Sequence, residues 1–165
     1  MGNRRRLDAK RIVAVLRAHG ADFIIVGGVA AVLQGAPIAT WDLDVVHSRS
    51  AENIERLLAA LRELDAIYRG QYGRRIEPAA SHLASAGHQL LETSFGPLDL
   101  LGTVGEGLGY EDLAGHTIEM EAGEGLRVRV LALEKVIELK ERAGREKDRA
   151  TLAILRRTQE ERGKG

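Results

Sequence analysis

Apolar positions along the chain alternate between helical spacing and short unbroken runs, the pattern of helices laid against a covered sheet. From Leu7 to His19, Ile12, Val15, Leu16 and His19 share one helical face, and Gly20 follows as a C-terminal cap. Phe23–Val26 is a continuous apolar run, as expected for a strand covered on both faces. Gly27 and Gly28 come next, Val29–Leu33 resumes helical character, and a second strand carries Asp42, Leu43, Asp44, Val45 and Val46. Ala51–Leu64 repeats Ile54, Leu57, Leu58, Leu61 and Leu64 on one side of a helix, with Ser50 as N-cap and Glu52 in the first turn.

The later chain is read in the same way. Tyr68 to Gly87 is irregular, with a short helix expected near residues 79–84, and holds Arg69, Arg74, Arg75 and His82. His88–Phe95 and Leu98–Leu101 read as strands joined by a Gly96-Pro97 turn. Glycines 102, 105, 107 and 109 mark a turned connection, and no G-K-[ST] follows to make it a phosphate loop. His116–Glu121 and Leu126–Leu131 read as a hairpin around Ala122–Gly125, with Arg127 and Arg129 on one face. Two helices close the chain, with stripes Leu133, Val136, Ile137, Lys140 and Asp148, Thr151, Leu152, Leu155; the tail from Gln159 is expected to fray. The pattern predicts an α/β (α+β) fold in one domain, 1–165: an N-terminal helix in 1–20, a sheet core in 21–131 and C-terminal helices in 132–159.

Composition narrows the picture. The 165 residues suffice for one domain with a real core, and an aromatic content of 4% makes that core aliphatic. Formal net charge is zero, so any nucleic-acid surface must be local. Arg4, Arg5, Arg6, Lys10, Arg11 and Arg17 make the opening helix basic, either as a solvated face or as a contact for a phosphate backbone. The absence of cysteine excludes disulfides and cysteine-ligated zinc. No signal-like segment or membrane-length apolar run is seen, so a cytoplasmic protein without membrane partners is expected.

The chemistry concentrates around the glycine pair and three aspartates. Gly27-Gly28 lies at a strand-to-helix junction, where glycines either allow a tight turn or let backbone N–H groups approach a phosphate. The G-x-G-x-x-G spacing of dinucleotide-binding folds is absent. Asp42 and Asp44, two apart, project from one face of a strand, so either a cation neutralises them or water solvates them. Carboxylate oxygens of this kind suit Mg²⁺. Asp99 lies amid Leu98, Leu100 and Leu101, and either reaches the same cation or sits at a wet strand edge. Lys140 and Asp148 intrude on apolar stripes, either as an ion pair between the two helices or as groups facing the carboxylates. Arg74-Arg75 could meet phosphate or stay solvated.

The order of glycine pair, short helix, xDxD and a third aspartate on a later strand resembles the nucleotidyltransferase (polymerase-beta-like) superfamily. More narrowly, GGVAAVLQGAPIATWDLDVV, GPLDLLG and ALEKVIELKERAGREKDRATLAIL are similar to AbiEii-type toxins and their single-domain relatives. The resemblance implies a small mixed sheet flanked by helices, with two C-terminal helices. It implies Mg²⁺ or Mn²⁺ on Asp42, Asp44 and Asp99, an NTP held by Gly27, Gly28, Thr40 and Lys140, and catalytic roles for the aspartates, Lys140 and Asp148. The implied reaction moves an NMP from an NTP to a hydroxyl of RNA (tRNA among the candidates), a protein or a small molecule, with a cognate antitoxin as a further partner. Three positions depart from the pattern: Gly28 replaces a common serine, Ile38 an arginine, and Thr151 an aspartate. A nucleotide-sensing or partner-binding module that keeps the fold without strong catalysis is the alternative expectation.

Overall fold

The computed structural model describes residues 5–164. In chain order its elements are α1 (Ala9–Ala18), β1 (Phe23–Val26), α2 (Gly27–Leu33), β2 (Leu43–His47), α3 (Ala51–Glu63), β3 (Ile67–Tyr68), α4 (Ala80–Ala84), β4 (His88–Thr93), β5 (Gly96–Leu101), α5 (Tyr110–Leu113), β6 (Thr117–Glu121), β7 (Arg127–Leu131), α6 (Leu133–Ala143) and α7 (Arg149–Gly163). Among the described residues the strands form one seven-stranded sheet in the order β3-β4-β5-β2-β1-β7-β6. β2 runs parallel to β5 and β1 parallel to β7, while the remaining neighbours are antiparallel. The expected mixed sheet with helices around it and two helices at the C-terminal end is what the chain forms.

The sheet follows from its central sequences. Every residue of β1 and β5 is buried; the unbroken apolar run of β1 requires this, whereas β5 carries Asp99 into the covered layer. In α1, Ile12, Val13 and Leu16 are buried, and the Asp8 carboxylate accepts a hydrogen bond from Arg11 N at 3.3 Å as N-cap. Ser50 caps α3 as expected, accepting from Asn53 N at 3.2 Å. The Asn53 amide in turn binds Asp22 N, Asp22 O and Ser48 O, tying the start of α3 to the ends of β1 and β2.

Several expectations are corrected. Gly96 and Pro97 belong to β5, and Ser94-Phe95 makes the turn. Gly96 adopts φ +106, and a Cβ there would stand 2.7 Å from Leu7 Cα, so glycine lets the segment before α1 cross close over the hairpin. The edge strand β3 was not expected and ends at the first residue of the stretch read as irregular, and α5, also not expected, follows the glycine-rich connection. The segment after Gln159 is helical through Gly163, with Arg162 Nη1 donating to Gln34 O at 2.9 Å. Arg4 lies outside the described residues. No helix among the described residues is long and apolar enough to cross a membrane.

Candidate active site

The carboxylates converge through sheet register. β2 and β5 are parallel neighbours in which Asp44 is paired with Asp99, so both side chains leave the same face at the same height. Asp42 stands one residue before β2 begins, and reaches the same place from the strand's approach. The three carboxylates each offer an oxygen within 4.8 Å of the other two.

The electrostatics are those of like charges held in a partly dry place. Burial, then the Asp42 and Asp99 charges, push the Asp44 carboxyl from its usual 3.8 up to about 8, against the lowering effect of Arg69. Burial and Asp99 also raise Asp42. Asp44 Oδ1 is buried without a hydrogen-bond partner. Three hard oxygen donors in one cluster, with Asp44 Oδ1 orphaned and Asp99 Oδ1 met only by the Arg69 charge, fit a cation such as Mg²⁺ or Mn²⁺.

The glycines serve this cluster directly. Gly27 has φ +63, and a Cβ there would stand 2.5 Å from Asp44 Oδ2. Both facts demand glycine, and the second brings α2 against the carboxylate. Gly28 has ordinary dihedrals; its absent Cβ makes room for Thr40, whose Cγ2 would be 2.7 Å away. Gly27, Gly28, Thr40 and the aspartates therefore form one neighbourhood. Ile38 is half-buried and packs on the core.

Lys140 satisfies both readings of its sequence position. Its Nζ is 3.7 Å from Asp148, an ion pair between α6 and the start of α7. It also lines a cavity of about 400 Å³ together with Gly27, Asp44, Asp99 and Arg145. Asp148 is buried, and its other oxygen takes Arg145 Nε at 2.9 Å. It thus holds Lys140 and is not itself part of that lining.

A second, larger cavity of about 1100 Å³ opens on the Asp42 side, where Arg5, Arg6, Lys10, Thr40, Trp41 and Arg69 are among its walls. Trp41 is 78% exposed. The basic opening of the chain therefore reaches the site in part, although Lys10 is paired with Glu124 at 3.2 Å and Arg11 with Asp8 at 3.6 Å. Arg75 pairs with Asp65 at 2.6 Å, away from the carboxylates. The arginine that does meet them is Arg69, whose Nη2 is 2.7 Å from Asp99 Oδ1. No periodicity marked it; its place next to a two-residue edge strand is the cause.

The fold is similar to that of a protein from Thermotoga maritima proposed to be a nucleotidyltransferase, with a TM-score of 0.57 and 18% identity over 87% of each chain. At that identity the likeness is one of fold. No family model matches the chain, and no curated protein matches its sequence.

Proposed function

We propose that this protein is a metal-dependent nucleotidyltransferase that moves an NMP from an NTP to an acceptor hydroxyl. The observation that carries the proposal is the in-register Asp44–Asp99 pair on parallel strands, joined by Asp42, with an orphaned carboxylate oxygen at its centre. Asp42, Asp44 and Asp99 would hold Mg²⁺ or Mn²⁺, which supplies charge neutralisation for in-line displacement at phosphorus. The chain's own groups do the rest. Gly27 and Gly28 let the start of α2 close on Asp44 and Thr40, and a triphosphate would lie alongside them. Lys140, positioned by Asp148, offers positive charge to the departing pyrophosphate from the smaller cavity. The acceptor approaches from the larger cavity, past Trp41 and Arg5 and Arg6. Its oxygen bonds to the α-phosphorus, the bond to pyrophosphate breaks, and the hydroxyl proton passes to Asp99.

Incubation with Mg²⁺, each labelled NTP and cell extract tests the reading. Label transfer lost in an Asp42→Ala/Asp44→Ala variant is the expected result, and no transfer by the wild type would sink it. Nucleotide binding without transfer would instead identify a sensor, a reading that Ile38 and Thr151 favour by their departure from the resembled pattern. The resemblance to AbiEii-type toxins extends the proposal to a single-domain cytoplasmic toxin that modifies RNA or protein and is restrained by an antitoxin. Growth arrest on expression, absent with the double variant, is its test.

A further inference from the structure

Three carboxylates within 4.8 Å of one another repel, and a positive charge close by eases that repulsion. Arg69 supplies it, with Nη2 2.7 Å from Asp99 Oδ1. We propose that Arg69 is a resident counter-cation that yields Asp99 to the metal and then takes a phosphate oxygen of the nucleotide; this rests on the nucleotidyltransferase reading above.

The geometry makes the exchange easy. The Arg69 backbone is fixed, its N–H donating to Leu90 O at 3.0 Å. Its Nη1 donates to Leu91 O at 3.0 Å, so one edge of the guanidinium is anchored on β4 and the other faces the carboxylates. The contact to Asp99 Oδ1 lacks hydrogen-bond alignment, so charge holds it, with little directional bonding to give up. Gly70 follows at φ +73, where a Cβ would meet no atom within 4 Å, and the chain then runs on outside helix and strand. A guanidinium that leaves Asp99 stays at the wall of the cavity it shares with Asp42, Thr40 and Trp41. Its fork of N–H donors matches a phosphate as well as it matches a carboxylate.

The role predicts opposite signs for two affinities. Arg69→Met keeps the apolar stem and removes the charge. It is expected to bind Mn²⁺ alone, followed by electron paramagnetic resonance, roughly fivefold more tightly than wild type, the scale of a partly shielded ion pair. It is also expected to bind the nucleotide more weakly, by roughly tenfold, when ATP, CTP, GTP and UTP are each titrated with Mg²⁺. Arg69→Lys, with its charge kept, should return Mn²⁺ affinity toward wild type. Unchanged or weaker Mn²⁺ binding in Arg69→Met, or nucleotide binding equal to wild type, overturns the proposal. Should the variants not fold, a crystal structure of the wild type with Mn²⁺ decides: an Arg69–Asp99 contact still at its metal-free distance overturns the proposal, and a broken one supports it. A wild type that binds no Mn²⁺ overturns the nucleotidyltransferase reading itself, whereas Mn²⁺ binding lost in Asp44→Asn but indifferent to Arg69 overturns this inference alone.

Discussion

Gly28 shows how tightly single atoms are set here. A serine at this position would bring its Cβ to 2.7 Å from Thr40 Cγ2, so its introduction requires the threonine to turn or shift. Gly28→Ser is expected to cost about 1 kcal/mol, and most of that cost should vanish in the Thr40→Ala background. Urea unfolding of the four proteins in the cycle measures the coupling. Asp44 gives a second prediction. Its folded pKa is raised to about 8, so between 3.8 and 8 the metal-free folded protein holds a proton that the unfolded chain has released. Stability from this group is therefore present at low pH and lost as pH rises through 8, by at most ~1.4 kcal/mol per pH unit. Buried His47, whose pKa is lowered, gives the opposite slope at lower pH, but it is common to wild type and Asp44→Asn and cancels in the comparison. The difference between the two proteins in thermal melts should grow from pH 6 to 8.5, with Asp44→Asn the more stable at the upper end. The aspartates themselves were legible in the sequence, because carboxylates amid apolar strand residues break a pattern. Arg69 was not, since it breaks none; its partner lies on a strand that only the folded sheet brings near.

Among elements, one buried side chain bridges α2, β7 and α6. Gln34 Nε2 donates to Ala30 O at 3.0 Å and Leu131 O at 2.8 Å, and its Oε1 accepts from Leu133 N at 2.8 Å. It thereby satisfies the first N–H of α6 and ties the helix of Lys140 to the helix that begins at Gly27. Gln34→Leu fills the space but orphans those groups, and should lower unfolding free energy by roughly 2–4 kcal/mol in urea titrations. Mn²⁺ affinity of the folded fraction should fall much less than it does in Asp44→Asn. Helical and strand periodicities located most elements, but nothing local marks Gln34, the C-cap of α2. Its role depends on a contact with Leu131 and Leu133, far along the chain, that no local pattern encodes. The same reason explains α7, whose last turn is secured by Arg162 on Gln34 O where the sequence offers only polar residues.

At the scale of the whole molecule, the sheet order places β2 at the centre, with β5 and β1 as its neighbours. The aspartates of β2 and β5 are separated in sequence by α3, β3, α4 and β4, so a long crossover must fold before Asp44 and Asp99 meet. Parallel pairing across such a loop forms slowly, because the closure entropy is met before the contacts repay it. The sequence contains a single tryptophan, Trp41, and it adjoins Asp42. A paramagnetic ion held there would quench its fluorescence. The protein thus carries a clock for its own assembly: in stopped-flow refolding with Mn²⁺, quenching should coincide with the slowest major phase and lag the far-UV signal of the local helices. Quenching that runs ahead of that phase would mean that the ion is gathered by the chain before the central strands align.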